Sequence, residues 1–130
     1  MPPSPNNPAV ALEIELWLRQ AAAHRSGGRL PEALALYQKV LSRAPGHPDA
    51  LREMGVAALD TGAIEVAEGF LDQAVKAAPK SVPALVARAR AALASGRPGK
   101  AIAALQRAAR VSPRNPEVAL LMGDAYLDSG

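Results

Sequence analysis

Side chains capable of acid–base, nucleophilic or metal chemistry are scarce in this sequence. It contains no cysteine and two histidines, His24 and His47. A metal site requires further nitrogen, sulfur or carboxylate donors at fixed spacing, and neither histidine has them. Neither a glycine-rich phosphate loop nor a Gly-x-Ser-x-Gly nucleophile elbow occurs. We therefore predict no catalytic residue, no cofactor and no metal site, and a protein that is not an enzyme.

Basic residues form the second chemical feature. Between Gln73 and Pro116 the sequence has no aspartate or glutamate. The basic residues of this stretch are Lys76, Lys80, Arg88, Arg90, Arg97, Lys100, Arg107, Arg110 and Arg114. They could attract nucleic acid or another anionic surface, but no aromatic side chain interleaves with them to stack bases. A solvated outer face is the favoured interpretation, and we do not expect nucleic-acid binding.

The composition favours a helical protein without a membrane span. Apolar residues make up 49% of the chain and aromatic residues 3%, so alanine and leucine supply most of the core. No apolar run approaches the roughly 20 residues that cross a bilayer. The first residues, Met1 to Pro5, lack the basic start and apolar run of a signal peptide. We expect a soluble, cytoplasmic protein.

A 34-residue period organises the chain. The residues that recur at this spacing are Gly28, Gly62, Gly96 and Gly130, then Pro45, Pro79 and Pro113, and then Ala33, Ala67 and Ala101. A fixed period of this length is typical of a solenoid, in which each repeat is one supersecondary unit.

Within each period, apolar spacing, caps and breakers predict two helices. The expected helices cover about 9–26, 30–43, 48–61, 64–77, 82–95, 98–111 and 116–129. Residues 1–8 contain four prolines and two asparagines, and we expect them to form a disordered or extended arm.

The small and large residues of the repeat resemble those of the tetratricopeptide repeat. In the second unit the family's pattern falls on Leu51, Met54, Gly55, Ala58, Ala67, Leu71, Ala74 and Pro79. The resemblance covers about 14–130, with units at about 14–47, 48–81 and 82–115 and a half unit at 116–130. It implies an all-α, right-handed superhelical solenoid of antiparallel helix pairs over 9–130, with seven helices in about 3.5 repeats.

The resemblance also implies where a partner would bind, because the first helix of each unit lines the concave groove in this family. Carried over by register, the candidate partner-binding residues are Arg19, Arg52, Glu53, Val56, Leu59, Val86, Arg90, Leu93 and Asp124. Some family members hold the C-terminal carboxylates of chaperone tails with lysine, arginine and asparagine. The matching places here are Leu18, Ala22, Glu53, Pro83 and Ala87, so we do not expect chaperone-tail binding.

The last helix predicts self-association. The second helix that would complete the fourth unit is missing, because the sequence stops at the turn glycine, Gly130. Apolar surface should therefore stay open around Leu120, Tyr126 and Leu127. Two outcomes are expected: either the native chain continues past Gly130, or two copies of this chain pair through the last helix as a homo-oligomer.

The function that these observations favour is a protein–protein interaction scaffold that binds a peptide or partner segment in its concave groove. The alternative is an N-terminal regulatory or assembly arm of a larger bacterial enzyme, a transferase or a hydroxylase, as the resemblance allows. A third, less favoured function is binding of anionic surfaces through the basic stretch 76–114.

Overall fold

The computed structural model describes residues 6–130, which form seven α-helices and no β-strand. The helices are α1 (Pro8–Ser26), α2 (Leu30–Arg43), α3 (Pro48–Asp60), α4 (Ile64–Ala77), α5 (Val82–Ala94), α6 (Pro98–Val111) and α7 (Pro116–Asp128). Each boundary lies within one residue of the predicted one, and the all-α solenoid of helix pairs is confirmed. None of these helices is long and apolar enough to cross a membrane.

The start of α1 lies one residue earlier than predicted. Asn7 Oδ1 accepts a hydrogen bond from the amide of Ala9 at 2.9 Å, which caps the helix. Pro8 follows as the first helical residue, where its missing N–H leaves no hydrogen bond unmade. The rest of the predicted arm, residues 1–5, lies outside the described residues.

A left-handed glycine ends the first helix of each unit. Gly28, Gly62 and Gly96 have φ angles of +76°, +84° and +74°, which glycine adopts without steric cost. The amide that follows donates to a carbonyl five residues earlier, as from Arg29 N to His24 O at 2.8 Å. The chain therefore reverses within three residues, and the second helix returns along the first.

A capping side chain precedes the first helix of each of the next three units, α3, α5 and α7. His47, Ser81 and Asn115 accept hydrogen bonds from first-turn amides at 3.5, 3.3 and 3.0 Å. These bonds satisfy amides that have no partner inside the helix. His47 is therefore the capping residue of α3.

Small residues form the contact between the two helices of a unit. Ala33, Ala67 and Ala101 are completely buried. Gly55 is also buried, and a Cβ added there would lie 2.6 Å from Cγ of Leu71. The helices can approach this closely because no larger side chain stands between them.

The core runs across unit boundaries. One cluster joins Leu51 and Val75 of the second unit to Leu85 and Leu105 of the third, and continues to Val118 on α7. No unit encloses its own apolar face, so the stack is stabilised as a whole.

Two large side chains of the first unit, Trp17 and His24, are only partly buried. Trp17 packs against the core cluster of this unit, which includes Val10 and Tyr37, and Lys39 Nζ lies 5.9 Å from its ring centroid, a cation–π contact. The Nδ1 atom of His24 accepts a hydrogen bond from Arg29 Nε at 2.9 Å.

The close helix contact predicts opposite effects for two glycine substitutions. Gly55→Ala should lower the free energy of unfolding by about 1–2 kcal/mol, because Leu71 is fully buried and has no room to move. Gly69→Ala should raise it by about 0.5–1 kcal/mol, because Gly69 lies within α4 and an added Cβ meets nothing within 4 Å. Urea unfolding followed by circular dichroism measures both. Equal stabilisation by both changes would show that the contact at Gly55 is not tight.

Candidate functional site

The first helices α3, α5 and α7 form an inner layer. Helix α3 contacts α5, and α5 contacts α7, in addition to the contacts that each makes with the second helices. Within residues 6–130, successive second helices do not contact each other to this extent, and neither do α1 and α3. From the second unit onward the first helices are therefore closer to one another than the second helices are, and this part of the stack curves with the first helices on its concave side.

The candidate partner-binding residues differ in how much surface they offer. Arg19, Arg90 and Asp124 are exposed. The half-buried members are Arg52, Glu53, Val56, Leu59 and Leu93. Val86 is only 6% exposed and belongs to the core cluster under the groove, so it gives a partner almost no surface.

Glu53 is the most enclosed charged side chain of this layer, with its side chain 10% exposed. Its Oε2 accepts a hydrogen bond from Arg25 on α1. Its Oε1 accepts one from Arg52 Nη2 at 3.3 Å, and Arg52 Nη1 lies 3.2 Å from Asp49 Oδ1. The carboxylate thus joins α1 to α3, and Arg52 already has two acidic neighbours.

The buried phenol of Tyr37 lies close to this group of charges. Tyr37 is 4% exposed, and burial raises its pKa, with the negative charge of Glu53 adding to the effect. The phenol of Tyr37 is therefore favoured in its neutral form.

Arg90 is also paired within the chain. It donates a hydrogen bond to Glu117 Oε1, which links α5 to α7. Of the three candidate groove cations, Arg52 and Arg90 therefore have carboxylate partners, whereas Arg19 takes part in none of the ion pairs found within residues 6–130. At Arg52 and Arg90, an acidic ligand would have to displace Glu117 or share the arginines with Asp49 and Glu53.

Sequence reasoning did not find the roles of Arg25, Asp49 and Glu117. Arg25 stands at the place that Leu59 and Leu93 occupy in the next two units, and this departure from the repeat was the available signal. The pairing itself depends on the spacing between helices, which no local pattern in the sequence gives. Within residues 6–130 no group of three or more histidine, cysteine or acidic side chains is placed to hold a metal ion.

Both ends of the stack expose apolar side chains. At the C-terminal end, Leu120, Tyr126 and Leu127 are 72%, 52% and 81% exposed. At the N-terminal end, Leu12 and Leu16 of α1 are 66% and 53% exposed. The open C-terminal surface was predicted, whereas the N-terminal one was not.

Paired helices on a 34-residue period, with an open inner layer and fixed ion pairs, define a helical-repeat protein of the binding-module class. Models of the tetratricopeptide repeat match residues 25–93 and 82–125. The first match alone covers more than half of the chain, and the chain belongs to the tetratricopeptide-repeat family.

The chain is also similar to parts of larger proteins. Cellulose synthase 2 operon protein C of Komagataeibacter xylinus is 32% identical over 114 residues, which are 85% of this chain and 9% of that protein. The chain therefore spans only a small part of the curated relative that it matches.

Two solved structures show the same fold. One is the first tetratricopeptide-repeat domain of Spaghetti (RPAP3) bound to the HSP90 peptide SRMEEVD. It has a TM-score of 0.81 and 19% identity, and the similarity covers 88% of this chain and 90% of that one. The other is an O-GlcNAc transferase mutant of Thermobaculum terrenum, with a TM-score of 0.82 and 23% identity over 88% of this chain and 22% of that one.

The difference in burial between two inner carboxylates leads to a prediction. Glu53→Gln should lower the free energy of unfolding by about 1–3 kcal/mol, because it removes the charge that two arginines share in an enclosed site. Glu117→Gln should change it by less than about 1 kcal/mol, because the side chains of Arg90 and Glu117 are both about half exposed. Parallel urea titrations of the two variants measure this, and equal losses would contradict it.

Proposed function

We propose that this chain is a protein–protein interaction scaffold whose concave groove binds a segment of a partner protein. The observation that carries the proposal is the inner layer formed by the contacting helices α3, α5 and α7, on which partly exposed apolar residues lie between ion pairs already formed. Such a preformed surface can bind a segment with little ordering of its own side chains. In this proposal the chain binds a partner and catalyses no reaction.

The side chains of the groove favour an apolar or helical segment over an acidic tail. Val56, Leu59 and Leu93 offer apolar surface, whereas Arg52 and Arg90 are engaged with carboxylates. The similar domain bound to an HSP90 peptide supports peptide binding by this fold. The chain lacks the basic residues that would hold a tail carboxylate at the corresponding places, so we propose a different class of ligand.

A second candidate function is an N-terminal regulatory or assembly arm of a larger enzyme. The observation that favours it is that the chain corresponds to 9% of the cellulose synthase operon protein and to 22% of the O-GlcNAc transferase chain. An immunoblot of the native host with an antibody against residues 6–130 distinguishes the two candidates. A product much longer than 130 residues supports the arm, and a product of this length supports the separate scaffold. The cytoplasmic location stays a prediction.

The groove can be tested with substitutions that leave the fold intact. Leu59→Ser combined with Leu93→Ser should reduce capture of partner proteins from host lysate about tenfold, because truncated apolar contacts at the centre of an interface cost most. Val66→Ser is the matched control, since Val66 is 54% exposed on α4, a second helix. Capture is quantified by mass spectrometry after circular dichroism has shown equal helix content. Equal loss in the control variant, or no loss in the double variant, would contradict the groove.

We also propose that the chain self-associates through the exposed face of α7. Leu127→Glu should abolish a concentration-dependent increase in mass measured by light scattering, because it places a charge in an apolar contact. Leu12→Glu, at the other end of the stack, distinguishes the mode of pairing. If α7 pairs with α7, the Leu12 variant still associates; if α7 meets α1 of the next copy, both variants are monomers. A monomeric parent chain at high concentration would contradict self-association.

A further inference from the structure

The basic stretch 76–114 divides into two groups in the folded chain. Arg88, Arg90, Arg97 and Lys100 each form an ion pair, with Asp72, Glu117 or Glu68 as partners. Lys76, Lys80, Arg107, Arg110 and Arg114 take part in none of the ion pairs found within residues 6–130. The second group therefore keeps its positive charge uncompensated.

Four of these cations meet at one edge of the stack. Lys76 lies in the last turn of α4 and Lys80 in the link to α5, while Arg107 and Arg110 lie near the end of α6. Arg107 Nη2 donates a hydrogen bond to the carbonyl of Pro79 at 3.1 Å, which holds the end of α6 against the α4–α5 link. We call Lys76, Lys80, Arg107 and Arg110 the basic edge.

The surface at the basic edge is recessed. A cavity of about 460 Å³ is lined by Gln73, Lys76, Pro79 and Arg107 among others. A second cavity, of about 250 Å³, is lined by Pro79, Lys80, Arg107, Arg110 and Val111. The two cavities share Pro79 and Arg107 and are therefore adjacent. Val111 lines the second cavity, is 48% exposed, and offers an apolar contact beside Lys80, Arg107 and Arg110.

Helix stabilisation accounts for only part of this arrangement. Lys76 and Arg110 lie in last turns, where a cation interacts favourably with the helix dipole. Lys80 lies outside any helix, and it adds a like charge beside Arg107 and Arg110. The only carboxylate that lines either cavity, Asp72, is already in contact with Arg88 at 2.9 Å and Lys100 at 3.5 Å.

We propose that the basic edge is a second binding site, separate from the concave groove, for an acidic peptide segment that carries an apolar side chain. The cations complement the carboxylates of the segment, and the cavity lined by Val111 receives the apolar side chain of the segment. Nucleic acid fits less well, because none of the residues lining either cavity is aromatic and could stack a base. A lipid surface also fits less well, since a flat headgroup layer does not enter two recesses.

The probe is a fluorescein-labelled peptide that alternates glutamate and leucine, titrated with the intact chain by fluorescence anisotropy at low salt. Lys80→Glu and Arg110→Glu should each weaken binding about tenfold. Val111→Ser should also weaken it, and so should replacement of the peptide's leucines by serine. Lys39→Glu is the matched control, because Lys39 is an exposed cation on α2, takes part in none of the ion pairs found within residues 6–130, and its reversal changes the net charge equally.

Several outcomes would overturn the proposal. Equal weakening by Lys39→Glu and Lys80→Glu would mean that net charge alone attracts the peptide. If the peptide without leucine binds as tightly as the one with leucine, the basic edge makes no apolar contact with the segment. Tighter binding to phosphatidylserine vesicles or to a single-stranded oligonucleotide would assign the edge to another class of ligand. The Leu59→Ser, Leu93→Ser variant should bind the probe as the parent chain does, so the result does not depend on the function of the groove.

Discussion

Close contact between the two helices of each unit is the constraint on which the rest of the structure depends. Gly55 and the buried alanines Ala33, Ala67 and Ala101 leave little side-chain volume between the helices. Each first helix can therefore pack closely against its second helix. The pairs then stack so that the first helices α3, α5 and α7 come into contact and form one surface. A wider pair would separate neighbouring first helices and interrupt the groove.

Much of this architecture could be predicted from the sequence, because the signals that set it are local. A left-handed glycine such as Gly62, a capping residue such as Asn115 and a first-turn proline such as Pro116 act within one helical turn. Repetition every 34 residues then places each signal in register with its counterparts. The seven helices follow from these signals and the repeat, whereas the inner position of the first helices was implied by the resemblance to the family.

The details of the groove could not be predicted, because they depend on distances between units. Val86 stands in the register of the groove, yet it is buried because α5 is covered by neighbours on both sides of the stack. Arg25 and Glu53 are 28 residues apart in sequence and pair only because α1 lies beside α3. The exposure of Leu12 and Leu16 follows from the absence, within residues 6–130, of a helix on the outer side of α1.

The two faces of the stack differ in how their charges are balanced. On the inner layer, Arg25, Arg52 and Arg90 have carboxylate partners on first helices, and these contacts tie α1 to α3 and α5 to α7. A ligand there meets charges that are already neutralised, so apolar contact and shape must supply most of the binding free energy. At the basic edge the cations lack such partners and repel one another, and this repulsion lowers the stability of the folded chain unless salt screens it. A bound anion would relieve the repulsion. The basic edge should therefore select ligands by their charge, whereas the groove selects them by the fit of their apolar side chains.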